Sequence, residues 1–152
     1  MAIMAASRMF VDTNVLIHAT IDQSALHHTA QQAILHQQQT SYELWISRQV
    51  LREFLAALSR PHGYTTRGRP ISATHLIAEV RLFQTQYAIA QDTQDVTERL
   101  LSLLASIYVG GKQIHDANIV ATMQANDITH LLTENTSDFA RFSQFITIIP
   151  LT

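Results

Sequence analysis

Short apolar runs recur along this chain, most of them closing on a polar residue or proline and most followed by a stretch with helical spacing, and no other feature constrains the fold as tightly. RMFVD (8–12), LWIS (44–47), YAIA (87–90), THLLT (129–133) and FITIIP (145–150) suit buried strands, being too short for core helices. Between them, residues 13–18, 24–39, 48–59, 72–86, 93–108 and 115–126 read as helices, with LLSLLASIYV on the core side of the fifth. Strands that are apolar on both faces need cover on both faces. The expected architecture is therefore α/β, three layers deep, with a short-stranded, mainly parallel central sheet. In such a sheet ligands bind beyond the carboxyl ends of the strands, at a topological switch point, so the residues just after each strand are the ones to inspect.

The remaining composition narrows the class. A length of 152 residues fits one domain over 1–152, and 47% hydrophobic against 14% charged residues excludes a disordered tail. All four glycines and two of the three prolines fall in PHGYTTRGRP (61–70) and at Gly110-Gly111, so a flexible loop is expected at 61–70. The absence of Cys removes disulfides, thiolate zinc sites and thiol catalysis together. The start, MAIMAASRMFVD, lacks the charged leader of a secretory signal, and the apolar run at 100–109 is far short of a spanning helix, so a cytoplasmic protein is expected. Ten basic residues against twelve acids leave −2, an unpromising sum for a partner of nucleic acid. No GxxxxGK[ST] phosphate loop, HExxH or GxSxG elbow occurs, and the second Asp of an aspartyl-phosphatase would fall at Asn14.

Four carboxylates carry the chemistry. Asp12 closes the first apolar run, where helix capping and a functional role call for the same residue type. Asp116 in HDANIVATMQAN shares a helical face with Ile119, Val120 and Met123, and a carboxylate on an apolar stripe is costly unless it caps, pairs or binds metal. Glu53 lies at the edge of the apolar face formed by Val50, Phe54, Ala57 and Leu58, a position that also suits an ordinary half-exposed Glu. Asp138 follows the fourth apolar run, with Thr133 and Asn135 in the same connection; an ordinary turn residue is the simpler reading there. Taken together, acids converging at the rim of a sheet repel one another unless protons or cations intervene. Oxygen donors without Cys or a His cluster favour Mg²⁺ or Mn²⁺, and such an ion supports phosphodiester hydrolysis.

VDTNVL, ISRQVLREF, IHDANIVATM and LLTENTSDFARF, in this order from residue 9 to the end, resemble the PIN-domain family and, more narrowly, the VapC-type toxin ribonucleases of VapBC toxin–antitoxin pairs. The resemblance implies a PIN-like fold and a metal-dependent endoribonuclease using one or two Mg²⁺ or Mn²⁺ ions. By position, the family's acids fall on Asp12, Glu53 and Asp116, and the fourth on Asp138, with Asn135 as the other candidate. Asp12 and Asp116 become the primary metal ligands, Asp138 completes the set, and Glu53 holds a second ion or positions the attacking water. Asn14, Thr133 and Asn135 become supporting polar groups. The same resemblance implies an RNA substrate and an antitoxin partner that covers the acidic cleft and presents Arg to its carboxylates. A non-cleaving RNA-binding or protein-interaction module of the same fold is the alternative; a nuclease acting on DNA flaps is a second, for which this chain lacks the extra length of a threading arch. Arg60, Arg67, Arg69 and His115 are candidate RNA contacts, with His62 and Tyr64 in the same loop, although a solvated loop has the same composition. The apolar stretches at 76–83 and 100–109 are generous enough for a homodimer.

Overall fold

A computed structural model describes residues 6–61, 63–66 and 68–152. Five strands, β1 (Ser7–Val11), β2 (Tyr42–Ser47), β5 (Ala88–Ala90), β6 (His130–Thr133) and β7 (Thr147–Pro150), form one sheet in the order β5-β2-β1-β6-β7. Every pairing in it is parallel. The helices are α1 (Thr13–Thr20), α2 (His27–Gln39), α3 (Arg48–Leu58), α4 (Ala73–Gln86), α5 (Gln94–Ser106), α6 (Gln113–Ala125) and the single turn α7 (Thr136–Phe139), which runs into a 3-10 turn at Ala140–Phe142.

The sheet is covered because its central strand has no polar face. Met9, Phe10 and Val11 are all fully buried although consecutive strand residues point to opposite faces. Val15 and Leu16 of α1, Val50, Phe54 and Leu58 of α3, and Ile119, Val120 and Met123 of α6 fill the core with them. The helices begin where capping residues allow: the Ser47 hydroxyl accepts from the Val50 N–H, that of Ser72 from His75 and that of Thr93 from Val96.

Three expectations need correction. The segment 61–70 is not without structure: β3 (Thr65–Thr66) and β4 (Arg69–Pro70) pair as a small antiparallel hairpin. Gly68, just before β4, has φ +75°, a conformation that favours glycine. Arg67 and His62 lie outside the described residues. The helix expected at 93–108 stops at Ser106, and its stripe is not wholly core: Leu103 is buried, but Leu101 and Tyr108 are exposed. Among the described residues no helix is long and apolar enough to cross a membrane.

The sheet order locates the site. From β1 the chain winds outward through β2 and β5, then crosses back to place β6 and β7 on the other side of β1. The switch point therefore lies between the carboxyl ends of β1 and β6, at Asp12, the residue after β1, and Thr133, the last residue of β6.

Candidate active site

Asp12 is the residue immediately after β1 and the N-cap of α1. Its backbone N–H continues the sheet by donating to Leu132 O at 3.0 Å, and its side chain turns back over the helix start. One carboxylate oxygen accepts from the Thr13 N–H at 2.8 Å. The other accepts from the Thr133 hydroxyl at 2.8 Å, across the switch point, and from Asn14 Nδ2 at 3.1 Å. Asn14 is itself aimed by the Glu134 N–H, which donates to its Oδ1 at 3.2 Å. Only 7% of Asp12 is exposed. Burial raises its pKa to about 6; the bonds from Thr133 and Thr13 oppose the shift, and the negative charges of Glu53 and Asp116 add to it. Capping and site-building are thus performed by the same carboxylate.

Glu53 comes from α3, at the edge of the face that buries Val50 and Phe54. Each of its oxygens has one donor: Oε2 accepts from the Thr13 hydroxyl at 2.8 Å and Oε1 from Gln49 Nε2 at 2.7 Å. Gln49 also donates to His115 O at 3.1 Å and accepts at Oε1 from Asn118 Nδ2 at 2.7 Å. Gln49, Asn118 and Thr13 were not singled out from the sequence. The available signals were the i,i+4 spacing of Gln49 to Glu53 and that of Asn118, two residues after Asp116.

Asp116 stands in the first turn of α6 and is partly buried. Its pKa is also raised to about 6, first by burial and then by the charges of Asp138 and Glu53, against the opposing positive charges of Arg141 and His115. Arg141 is held by a bond from Nη1 to Gln113 Oε1 at 2.7 Å. Asp138 lies in α7, exposed, and Asn135 is the residue at the N-cap position of that helix. A cleft of about 340 Å³ gathers Asp12, Thr13, Asn14, Glu53, Asp116 and Asn135, with Arg60 on its rim. Asp138 is not among the residues lining this cleft, yet its charge bears on Asp116. Arg60 also lines the neighbouring hollow under the hairpin, beside Tyr64. Arg69 is exposed on β4 and does not line the cleft; His115 is exposed, and only its backbone carbonyl joins the polar network.

The donors suit a hard divalent cation. All are oxygens, two of the carboxyls hold their protons above the ordinary range because burial and then neighbouring like charges disfavour ionisation, and a cation is what offsets both. Among the described residues no three acids are already closed into a cage. Asp12, Glu53 and Asp116 line an open cleft.

Solved structures share this fold. A toxin–antitoxin complex from Klebsiella pneumoniae is 22% identical with a TM-score of 0.65, covering 95% of this chain and 98% of that one. VapC20 of Mycobacterium tuberculosis, a sarcin–ricin loop cleaving toxin, is 20% identical with a TM-score of 0.66, covering 93% and 99%. VapBC-1 of nontypeable Haemophilus influenzae is 14% identical with a TM-score of 0.64, covering 95% and 98%. No functionally curated protein matches the sequence significantly. The profile of the PIN domain family matches residues 9–144, a span that takes in every acid of the cleft, and the chain belongs to the PIN domain family.

Proposed function

We propose that this chain is a divalent-metal-dependent endoribonuclease, acting as one domain over 1–152 and as the toxin of a type II toxin–antitoxin pair. One observation carries the reading: Asp12, Glu53 and Asp116 come together at the switch point of a parallel sheet, and two of them hold protons to about pH 6. Asp12 and Asp116 would hold Mg²⁺ or Mn²⁺, with Asp138 completing the set and Glu53 holding a second ion or the attacking water. When bound, the ion supplies an activated water and a counter-charge for the phosphate oxygens.

The protein's own groups do the rest. Thr133 and Asn14 on one oxygen and the Thr13 N–H on the other fix the plane of the Asp12 carboxylate. Thr13 and Gln49 do the same for Glu53. Arg60 at the rim is placed to meet an RNA phosphate on entry, with Tyr64 beside it for stacking on an unpaired base. Asn135 on the cleft wall and His115, the residue before Asp116, offer further polar contacts, and Arg67 and Arg69 keep the role of RNA contacts that their charge and the sequence resemblance suggest. The complexes among the similar structures support an antitoxin partner, and an Arg from it would pair with the cleft carboxylates. Exposed Leu101 within α5 and Tyr108 just beyond it are available to a homodimer.

The test uses end-labelled RNA, purified protein, and Mg²⁺ or Mn²⁺ with and without chelator. Cleavage that chelator abolishes, and that Asp12→Asn and Asp116→Asn both lose, is the expected result. Binding without cleavage would point to the interaction module instead, and undiminished cleavage by both variants would sink the site assignment.

A further inference from the structure

Gln49 is an unusual residue to find 7% exposed in the first turn of an amphipathic helix. Its amide has no freedom left. Nε2 faces two acceptors, Glu53 Oε1 at 2.7 Å and His115 O at 3.1 Å, while Oε1 faces a donor, Asn118 Nδ2 at 2.7 Å. Turning the amide over would set oxygen against carboxylate and carbonyl, and NH₂ against NH₂, so the network permits one orientation. The carbonyl it grips belongs to the residue just before Asp116. A single buried amide thus touches the side chain of one cleft acid and the backbone that carries another, spanning α3 and α6.

The arrangement has the form of an outer-shell partner. Glu53 lies between two donors on different helices, Thr13 on α1 and Gln49 on α3, with one oxygen assigned to each. Two donors leave the remaining lone pairs of the carboxylate to the cleft and stop it from rotating. Asn118 contributes nothing to the cleft directly; its amide orients Gln49, and its carbonyl accepts from the Thr122 hydroxyl at 2.8 Å within α6.

Building on the metal-dependent reading above, we propose that Gln49, oriented by Asn118, is a positioning residue that holds Glu53 in register with Asp116 for divalent-cation binding and catalysis. Outer-shell partners of metal ligands are worth roughly 10- to 100-fold in affinity or activity. Gln49→Met keeps length and shape while removing both donors and the acceptor. The measurement is Mn²⁺ titration of the full chain followed by electron paramagnetic resonance, alongside thermal unfolding without metal and steady-state RNA cleavage. Gln49→Met should weaken Mn²⁺ binding by roughly 10- to 100-fold and lower kcat, with KM for RNA unchanged. Asn118→Leu should produce a smaller loss in the same direction. The double variant should be no worse than Gln49→Met alone, because Asn118 acts through Gln49.

Additive losses in the double variant overturn the relay, as does a Gln49→Met protein with a lower melting temperature but wild-type Mn²⁺ affinity, which makes Gln49 a structural staple only. If Gln49→Met fails to fold, Asn118→Leu decides alone, and unchanged Mn²⁺ affinity there overturns the proposal. Wild-type protein that takes up no Mn²⁺ overturns the metal reading and this inference with it. Wild-type binding matched by the variants overturns this inference and leaves that reading standing.

Discussion

On the sheet side of the cleft Asp12 sits in a mesh of donors, three of them within 3.1 Å, and almost none of it meets solvent. On the helix side Asp116 is only partly buried, and burial and neighbouring charges shift its pKa without any hydrogen bond contributing. The same rise, to about 6, therefore has two different balances behind it. Asp12 is held in place by the fold, with deep burial outweighing good hydrogen bonds. Asp116 is held by its helix backbone and by repulsion from Asp138 and Glu53. On the proposed metal-dependent reading, Asp12 is the firmly placed carboxylate of the pair and Asp116 the less constrained one.

The largest effect that would test this contrast is catalytic. Asp116→Asn should lower metal-dependent cleavage by more than about 100-fold, beyond what an outer-shell change costs. Asp138→Asn, altering an exposed neighbour, should lower it less, by about tenfold. Single-turnover rates at saturating Mn²⁺ compare them, and a greater loss in Asp138→Asn would reverse the ranking of the two acids.

The next effect is on stability against pH, in metal-free buffer. The folded pKa of Asp12 lies above its ordinary 3.8, so the folded state keeps a proton that the unfolded chain gives up. Below about pH 4 both states are protonated and the group contributes nothing. As pH rises from about 4 to about 6 the native state loses stability, by about 3 kcal/mol in all for this buried group. Asp12→Asn cannot titrate, so its stability relative to wild type should climb over that window; parallel urea curves at pH 4, 5, 6 and 7 would show no such divergence if the carboxyl titrates normally. The Asp116→Asn curve should diverge the same way by less, because solvent reaches that group. Mg²⁺ should stabilise wild type at pH 7 by about 2.7 kcal/mol at a hundred times its dissociation constant, and either Asn variant by less.

Thr133→Val should cost about 1–3 kcal/mol, since it strips a donor from a buried carboxylate while keeping the side chain's shape. Adding Mn²⁺ should recover part of that loss, and calorimetry with and without the ion reads both. The smallest effect is expected far from the cleft. Arg52 pairs with Asp92 at 3.2 Å, both well exposed, so Arg52→Ala should move stability by no more than about 0.5 kcal/mol.

The strands were legible because each is an apolar run of a length that no helix uses, and β1, β2, β5, β6 and β7 all lie on runs visible in the sequence. The β3–β4 hairpin was not, since two-residue strands of Thr-Thr and Arg-Pro carry no periodicity. Nor was α7, whose single turn is shorter than one helical repeat of the pattern. Glu53 and Asp116 drew notice as charged groups beside apolar stripes, where burial needs a reason. Gln49 drew none, because a glutamine on an amphipathic helix ordinarily faces water, and only the approach of α6 encloses it.

The sequence by itself determined the alternation of short buried strands with helices, the position of an acid at the end of the first strand, and membership of the PIN domain family. Those are properties of local pattern and spacing, and neither depends on what lies opposite in space. Tertiary structure alone decided that β6 lies beside β1, and hence that Thr133 reaches Asp12 across 121 positions of chain. It alone decided that Asn135 lines the cleft and Asp138 acts from outside it, and that one buried amide ties Glu53 to the start of α6. Strand order and helix packing are settled by how the apolar faces share a single core, and a linear sequence does not display that sharing.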